Sequence, residues 1–215
     1  MRAAAGAAPK LRSLHVNADN MTFDGLDLDA EGTTTVGAVY ETSADNVTFR
    51  NGRIGNVVDE KGALLGGETA PDPRNLVIDN VDFHDVRPVA DGVHNECMYL
   101  MAPGTVVKNS HFGAVCGNTG AILTQRGSWW GQQPWNGATF LNNTFERQLY
   151  DHGSILFGNH CGDVGAVCRD IVIRGNTFNP ASMPGNATPD LSYTNSFESC
   201  NTPRVDLPGL THEAC

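Results

Sequence analysis

One segment of nine residues recurs six times along the chain, and this repeat constrains the fold more than any other feature of the sequence. The copies are NMTFDGLDL from Asn20, NVTFRNGRI from Asn46, NLVIDNVDF from Asn75, GTVVKNSHF from Gly104, GATFLNNTF from Gly137 and DIVIRGNTF from Asp170. Successive copies end 26, 29, 29, 33 and 33 residues apart. A repeat of this length is typical of a solenoid in which each repeat forms one coil and packs on its neighbours.

Two positions of the repeat are apolar in every copy. The first holds Phe23, Phe49, Ile78, Val107, Phe140 and Ile173, and the second holds Leu28, Ile54, Phe83, Phe112, Phe145 and Phe178. Between them lie Asn51, Asn80, Asn109 and Asn142, with Gly25 and Gly175 in the first and last copies. Asn and Gly tolerate the left-handed dihedral angles that a sharp corner needs. The pattern therefore predicts two stacked core columns separated by a corner that carries an asparagine ladder.

A second apolar segment recurs between these copies and completes the coil. It reads VGAVYE from Val36, KGALLG from Lys61, NECMYL from Asn95, TGAILT from Thr119 and HGSILF from His152. Short strands in a repeat of this length predict an all-β fold, a single-stranded right-handed parallel β-helix of about six rungs. An antiparallel β-sandwich is disfavoured, because it does not require asparagine at one phase of a repeat. We expect an N-terminal extension, disordered or truncated, at 1–13, the β-helix at 14–178, and a tail at 179–215 that packs on or caps the solenoid.

The repeat region, from about Leu14 to Phe178, resembles the right-handed parallel β-helix superfamily that includes pectate lyases. The segments HNEC, from His94 to Cys97, and NSHFGAVC, from Asn109 to Cys116, resemble those of largely uncharacterised bacterial β-helix proteins. The resemblance implies an exported protein that contacts polysaccharide along one face of the coil. It does not fix an activity, because lyases, hydrolases, epimerases and inert adhesins share this architecture.

Composition excludes some partners and indicates a compartment. The net charge of -10, with only 14 Lys and Arg residues, argues against nucleic acid as a partner. No apolar run is long enough to predict a membrane span. The six cysteines fall as Cys97 and Cys116, Cys161 and Cys168, and Cys200 and Cys215. We favour disulfides over free buried thiols, which predicts a secreted or cell-surface protein, although the N-terminus carries no clear signal peptide.

Polar residues just ahead of the second segment form the candidate catalytic site. If the segment copies stack in register, one column contains Glu60, His94, Asn118 and Asp151, and the next contains Lys61, Asn95, Thr119 and His152. Glu96 shares its column with Gly37, Gly62, Gly120 and Gly153, so its side chain is expected to project where its neighbours have none. The alternative is that His94 and Glu96 bond backbone groups at a turn and that Asp151 caps a strand end.

For a lyase acting on a uronate-containing glycan, Lys61 or Arg126 would neutralise the substrate carboxylate and His94 or His152 would be the base. Glu96 and Asp151 could hold calcium, the one candidate cofactor. For a glycoside hydrolase, Glu96 and Asp151 would be the two carboxylates. The hydrolase hypothesis is disfavoured, because polygalacturonase-like members of the superfamily have closely spaced aspartates on adjacent rungs and this sequence shows no such set.

All three tryptophans, Trp129, Trp130 and Trp135, lie in the insertion SWWGQQPW. Their flat faces suit stacking on sugar rings, with Arg126, Asn118 and Glu60 as further substrate-binding candidates. Alternatively, the insertion covers the apolar outer face of Leu65, Leu123 and Leu156; the tail or self-association with another subunit would serve the same purpose.

Two functional classes follow from these patterns. The favoured enzyme is a polysaccharide lyase with His94, Glu96, Asp151, Lys61 and His152 as catalytic residues. The competing class is a non-catalytic adhesin or tailspike-like solenoid. Four further histidines, at 84, 111, 160 and 212, have no partner that the sequence places, and we expect them to be solvated or packed.

Overall fold

The structure is a computed structural model that describes residues 9–32, 34–35, 40–42, 44–59, 64–66, 74–90, 93, 95–100, 102–124, 137–149, 153–158, 167–186 and 192–215. Side chains are described for all of these except 34–35, 40–42, 59, 64–66 and 167. Within the described ranges, no helix is long and apolar enough to cross a lipid bilayer.

The described ranges contain short strands, with two of 12 residues. In the first half these are β1 (Lys10–Leu11), β2 (Leu14–Val16), β3 (Thr22–Asp24), β4 (Asp27–Asp29), β5 (Thr34–Thr35), β6 (Tyr40–Thr42), β7 (Thr48–Asp59), β8 (Leu64–Gly66), β9 (Val77–Pro88), β10 (Glu96–Leu100), β11 (Thr105–Lys108) and β12 (His111–Phe112). The remainder are β13 (Gly120–Thr124), β14 (Ala138–Leu141), β15 (Thr144–Phe145), β16 (Ile155–Phe157), β17 (Val167–Arg169), β18 (Ile171–Arg174), β19 (Thr177–Phe178), β20 (Gly185–Asn186), β21 (Ser192–Thr194), β22 (Phe197–Ser199) and β23 (Thr211–His212).

These strands stack as a parallel β-solenoid, which confirms the predicted fold class. The main path of the first sheet runs β1-β4-β7-β9-β11-β14-β18-β22-β23, and the second sheet runs β2-β6-β8-β10-β13-β16-β20. A small third sheet pairs β17 with β21. The number of coils differs from the predicted six, since the second sheet alone stacks seven strands. Strand β1 lies within the expected N-terminal extension, and β20 to β23 lie within the expected tail, where β22 and β23 continue the first sheet.

The two predicted core columns are present. Phe49 pairs with Phe23 and Ile78, and Ile54 pairs with Leu28 and Phe83, with the later copies following in the same register. The rings of Phe83, Phe112, Phe145 and Phe178 form a continuous stack with centroids 4.7, 4.6 and 5.0 Å apart. The column is buried throughout, so equivalent residues of distant copies form one aromatic core.

The predicted corner is also confirmed. All four corner asparagines have positive φ, between 52° and 55°, and Gly25 and Gly175 have φ of 76° and 65°. The Asn80 amide donates to Asn51 Oδ1 at 2.9 Å, which forms one step of the ladder. Asn51 and Asn109 instead donate to Asp24 and Asp79 of the preceding coil, both at 2.8 Å. Carboxylates therefore replace asparagine as the acceptor at two steps of the ladder.

A second asparagine ladder lies inside the coil, and the sequence analysis did not identify it. Asn143 and Asn176 are each 1% exposed, and Asn201 is also buried. Asn176 accepts from the backbone N–H of Asn143 at 2.8 Å and donates to the Phe140 carbonyl at 2.9 Å. Asn201 repeats the arrangement one coil later, bonding Asn176 and the Ile173 carbonyl. These amides satisfy backbone groups that the corner leaves unpaired.

The second segment follows the predicted register in its later copies but not in its first. Met98 pairs with Leu64 and Ile122, as predicted. Tyr40, however, pairs with Leu64, whereas the repeat alignment pairs it with Leu65. The first copy is therefore displaced by one residue. Apolar residues at successive positions of this segment leave no polar marker to fix the alignment.

Disulfides form between Cys97 and Cys116 and between Cys200 and Cys215, which confirms the favoured interpretation of the cysteines. Cys168 is also disulfide-bonded, whereas Cys161 lies outside the described residues. Cys97–Cys116 joins β10 to the segment that follows β12, and Cys200–Cys215 joins the end of β22 to the C-terminus.

Removal of one ring from the phenylalanine stack is expected to destabilise the protein strongly. Phe112 is fully buried between two rings, so Phe112→Ala leaves a cavity and lowers the free energy of unfolding by about 3 to 5 kcal/mol. Chemical denaturation measures this loss. Leu149→Ala is the control: Leu149 is 61% exposed, and its loss changes stability by less than about 0.5 kcal/mol. Equal effects of the two substitutions would contradict the stacked core.

The inner ladder predicts a contrast between two asparagines of neighbouring coils. Asn176→Ala leaves several buried backbone and amide groups without partners, each costing about 1 to 3 kcal/mol. The free energy of unfolding is therefore expected to fall by at least about 2 kcal/mol. Asn142→Gly, at an exposed corner with φ of 54°, suits glycine and costs less than about 1 kcal/mol. Thermal and urea denaturation of both variants test the difference, and a mild effect at Asn176 would argue against the ladder.

Candidate functional site

Most of the sequence-predicted site residues lie outside the described residues. These are Glu60, Lys61, His94, Arg126, Trp129, Trp130, Trp135, Asp151 and His152. Their catalytic and sugar-binding roles remain predictions. Of the predicted site residues, the structure describes Glu96 and Asn118.

Glu96 pairs with Gly120, as the column predicts, but its side chain is buried rather than projecting from the surface. It is 1% exposed and lies two residues before Met98, on the same face of β10 as that core residue. A carboxylate buried to this degree does not reach a polymer on the outer surface of the coil. Its proposed roles in catalysis and calcium binding depend on Asp151 and remain predictions.

Asn118 holds a turn. Its amide donates to the Val93 carbonyl, and its backbone N–H donates to the carbonyl of Asn95 at 2.8 Å. The side chain is half-buried. A contact between Asn118 and sugar remains a prediction.

The outer face of the second sheet is partly covered. Leu123 pairs with Tyr99 and Leu156 and is fully buried, yet it lies outside the hydrophobic core cluster. Other parts of the chain therefore cover this apolar residue from outside. The tryptophan insertion is one of the three predicted covers, with the tail and a second subunit, and it lies outside the described residues.

A different set of polar residues lies on the outer face of the first sheet, which we call the charged face. It consists of two files of side chains and the corner asparagines that lie between them. The first file is Asp24, Arg50, Asp79 and Lys108, and the second is Asp27, Arg53, Asp82 and His111. In each file an acidic residue alternates with a basic one from coil to coil.

The first file is held by ion pairs between coils. Arg50 bonds Asp24 at 3.0 Å, and Lys108 bonds Asp79 at 3.2 Å. The corner asparagines donate to the same two carboxylates from the adjacent column. Each of these carboxylates therefore receives one cation and one amide, and its position is fixed by both.

The second file contains a histidine between two carboxylates. His111 Nδ1 lies 2.8 Å from Asp82, and Nε2 lies 3.1 Å from Glu146, which follows the next coil's Phe145. Arg53 bonds Asp82 from the other side at 3.3 Å. The second oxygen of Glu146 accepts the backbone N–H of Ala114 at 3.0 Å. The imidazole thus joins three coils.

The sequence analysis placed no partner for His111, although the signal is present in the repeat. The residue just before the second core column reads Asp27, Arg53, Asp82 and His111 in successive copies. Opposite charges at one phase of a parallel solenoid become neighbours about 4.8 Å apart. Comparison of this position between copies would have identified the ion pairs from sequence alone.

The pKa values of the second file follow from its contacts. Partial burial lowers the pKa of His111, but the hydrogen bonds to Asp82 and Glu146 outweigh it and raise the pKa above its ordinary value. Partial burial raises the pKa of Asp82, but the bonds from His111 and Arg53 outweigh it and leave the pKa lowered. The cluster therefore favours a charged imidazole beside a charged carboxylate.

The chemistry that this arrangement can support is hydrogen bonding to a polar ligand. In the part of the chain that the structure describes, no group of three or more His, Cys, Asp or Glu residues could hold a metal ion. The exposed carboxylates, amides and guanidinium groups can bond a polar ligand. Calcium remains a prediction that depends on Asp151.

The cluster predicts a pH-dependent coupling between Asp82 and His111. Because folding raises the pKa of His111, its protonated imidazole stabilises the fold below about pH 6.5. This contribution is lost as the pH rises through the pKa of His111 in the folded protein. The lowered pKa of Asp82 stabilises above about pH 4, and this contribution is lost as the pH falls through its folded value. Coupling is therefore greatest between these limits.

A double-mutant cycle of Asp82→Asn and His111→Gln measures that coupling by chemical denaturation at several pH values. The side chains are 38% and 42% exposed, so solvent screening limits the coupling to about 1 kcal/mol at most. A coupling that is unchanged from pH 5 to pH 9 would contradict the assignment.

Comparison with known proteins shows the fold and no family. No protein-family model matches the chain, and no curated protein matches it. Among solved structures, it is similar to PfbA, a surface adhesin of Streptococcus pneumoniae, with a TM-score of 0.51 and 14% sequence identity. The alignment covers 92% of this chain and 59% of that adhesin chain, so this chain spans less than two thirds of its length. At this identity the likeness shows a shared β-solenoid fold alone.

Proposed function

We propose that this protein is an extracellular β-solenoid that binds polysaccharide along its charged face without cleaving it. The observation that carries the proposal is the fixed, periodic arrangement of polar side chains on that face. Over four successive coils each file presents one polar group per coil, and the corner adds an asparagine in three of the four. Coils repeat about every 4.8 Å. An extended polymer with a regular repeat suits such a surface.

The contacts between coils prepare these groups for binding. Asp24, Asp79 and Asp82 are each held by a cation, and the first two also by an amide. A side chain that is already ordered loses little rotamer entropy when a ligand binds. Carboxylates and amides have several lone pairs or N–H groups, so they can bond sugar hydroxyls in addition to a protein partner. The face therefore offers many weak, regularly spaced contacts.

On the charged face, His111 is not placed to act as a general base. Both of its ring nitrogens face carboxylates, so neither is available to take a proton from a substrate. General base catalysis requires an imidazole nitrogen within reach of that proton. The similarity in fold to a surface adhesin also agrees with a binding role. The predicted lyase residues lie elsewhere, mostly outside the described residues.

An extracellular location agrees with the disulfides. Cys97–Cys116 and Cys200–Cys215 are of the kind that persist in oxidising compartments.

Binding is tested with a panel of immobilised polysaccharides and variants of the corner asparagines. Asn80→Gly with Asn109→Gly keeps the positive φ at both corners, 55° and 52°, but removes two amides from the charged face. We expect the affinity for the bound glycan to fall about tenfold, measured by biolayer interferometry. Asn195→Gly is the matched control, because Asn195 is an exposed asparagine with φ of 47° on a different coil.

The same preparations test cleavage. Incubation with pectate, alginate and glycosaminoglycans is expected to leave the ultraviolet absorbance unchanged, because no unsaturated product forms. An increase in ultraviolet absorbance that is lost in His94→Ala would refute binding without cleavage and would support the lyase. Absence of binding to every polysaccharide in the panel would also refute the proposal.

A further inference from the structure

We infer that the charged face selects an uncharged polysaccharide and disfavours polyuronates. The inference rests on the proposed function, since it assumes that this face binds a glycan, and it names the class of glycan. It opposes the expectation of a uronate-containing substrate. It follows from the ion-pair partners of the charged side chains on this face.

The cations of the charged face are already neutralised. Arg50 bonds Asp24, Lys108 bonds Asp79, and Arg53 bonds Asp82, all between 3.0 and 3.3 Å. A carboxylate that neighbouring groups hold in place already compensates the charge of each cation. The N–H groups that remain on Arg50 and Arg53 therefore attract a uronate carboxylate less than an unpaired cation would.

The two files and Glu146 together contain five carboxylates and four basic groups. Asp27 and Glu146 add two carboxylates to the three that bond cations, whereas His111 adds one basic group. The lowered pKa of Asp82 keeps that carboxylate ionised. The whole chain carries a formal charge of -10. A polyanion approaching the charged face therefore meets repulsion at long range and no unpaired cation in either file at short range.

An uncharged sugar chain encounters neither obstacle. Its hydroxyl groups can donate to the carboxylates of both files, and hydrogen bonds to a charged acceptor are stronger than those between neutral groups. The corner amides supply donors for ring and hydroxyl oxygens. The carboxylates that neutralise the cations can therefore still accept hydrogen bonds from a neutral polymer.

The test compares neutral and anionic polysaccharides on the full chain and on a variant with freed cations. The probes are pectate and alginate as polyanions, with mannan, galactan and β-glucan as neutral polymers. For the unmodified chain, we expect at least one neutral polymer to bind about tenfold or more tightly than either polyanion at low salt.

Asp79→Asn with Asp82→Asn removes the partners of Lys108 and Arg53 while keeping the shape of the side chains. This variant is expected to gain pectate binding of about tenfold, and the gain should vanish at high salt. The control is Asp206→Asn with Glu213→Gln, which changes the net charge equally at exposed positions near the C-terminus. A thermal melt establishes that both variants are folded.

The outcomes separate the two proposals. If no polysaccharide binds the unmodified chain, the proposed function fails. If pectate or alginate binds as tightly as every neutral polymer, glycan binding stands and the inferred selectivity is wrong. An equal gain in pectate binding for the variant and its control would also overturn the inference, because net charge rather than freed cations would then explain it.

Discussion

In-register pairing of parallel strands from one coil to the next is the constraint on which the rest of the structure depends. It brings residues that are 26 to 33 positions apart in sequence to about 4.8 Å from each other. Apolar rings at that spacing stack favourably, and amides at that spacing bond one another. Charges behave differently, because two like charges 4.8 Å apart repel by roughly 3 kcal/mol at an effective dielectric constant of 20. Aromatic and amide residues therefore repeat along a column, whereas charges alternate, as Asp24, Arg50, Asp79 and Lys108 do.

The same constraint explains how much of the fold could be predicted from the sequence. The core columns and the outer corner were predictable because each combines a fixed phase with a distinctive residue type, Phe or Asn. The inner ladder was not, since Asn143 directly follows the corner residue Asn142 and Asn176 follows Gly175, so both look like parts of the corner. The displaced register at Tyr40 has a related cause, because a run of apolar residues supplies no distinctive residue to align.

The candidate site was less predictable, for two physical reasons. Glu96 was expected to project because its column contains glycines, but strand alternation places it on the face of Met98 and buries it. The residue types in a column do not show which face of the sheet the column lies on. His111 was missed because its partners are 29 and 35 residues away, in other coils. Sequence proximity does not identify such contacts, whereas comparison at one phase of the repeat does.

The division of roles between the inside and the outside of the coil follows from exposure. The buried phenylalanines and asparagines supply stability, because their contacts are made away from water. The ion pairs of the charged face are partly exposed and each adds at most about 1 kcal/mol to stability. Their larger effect is to fix the positions of carboxylates and to occupy cations that would otherwise attract anions. A column of alternating charges is therefore a weak contributor to the fold and a strong determinant of which polymer the surface accepts.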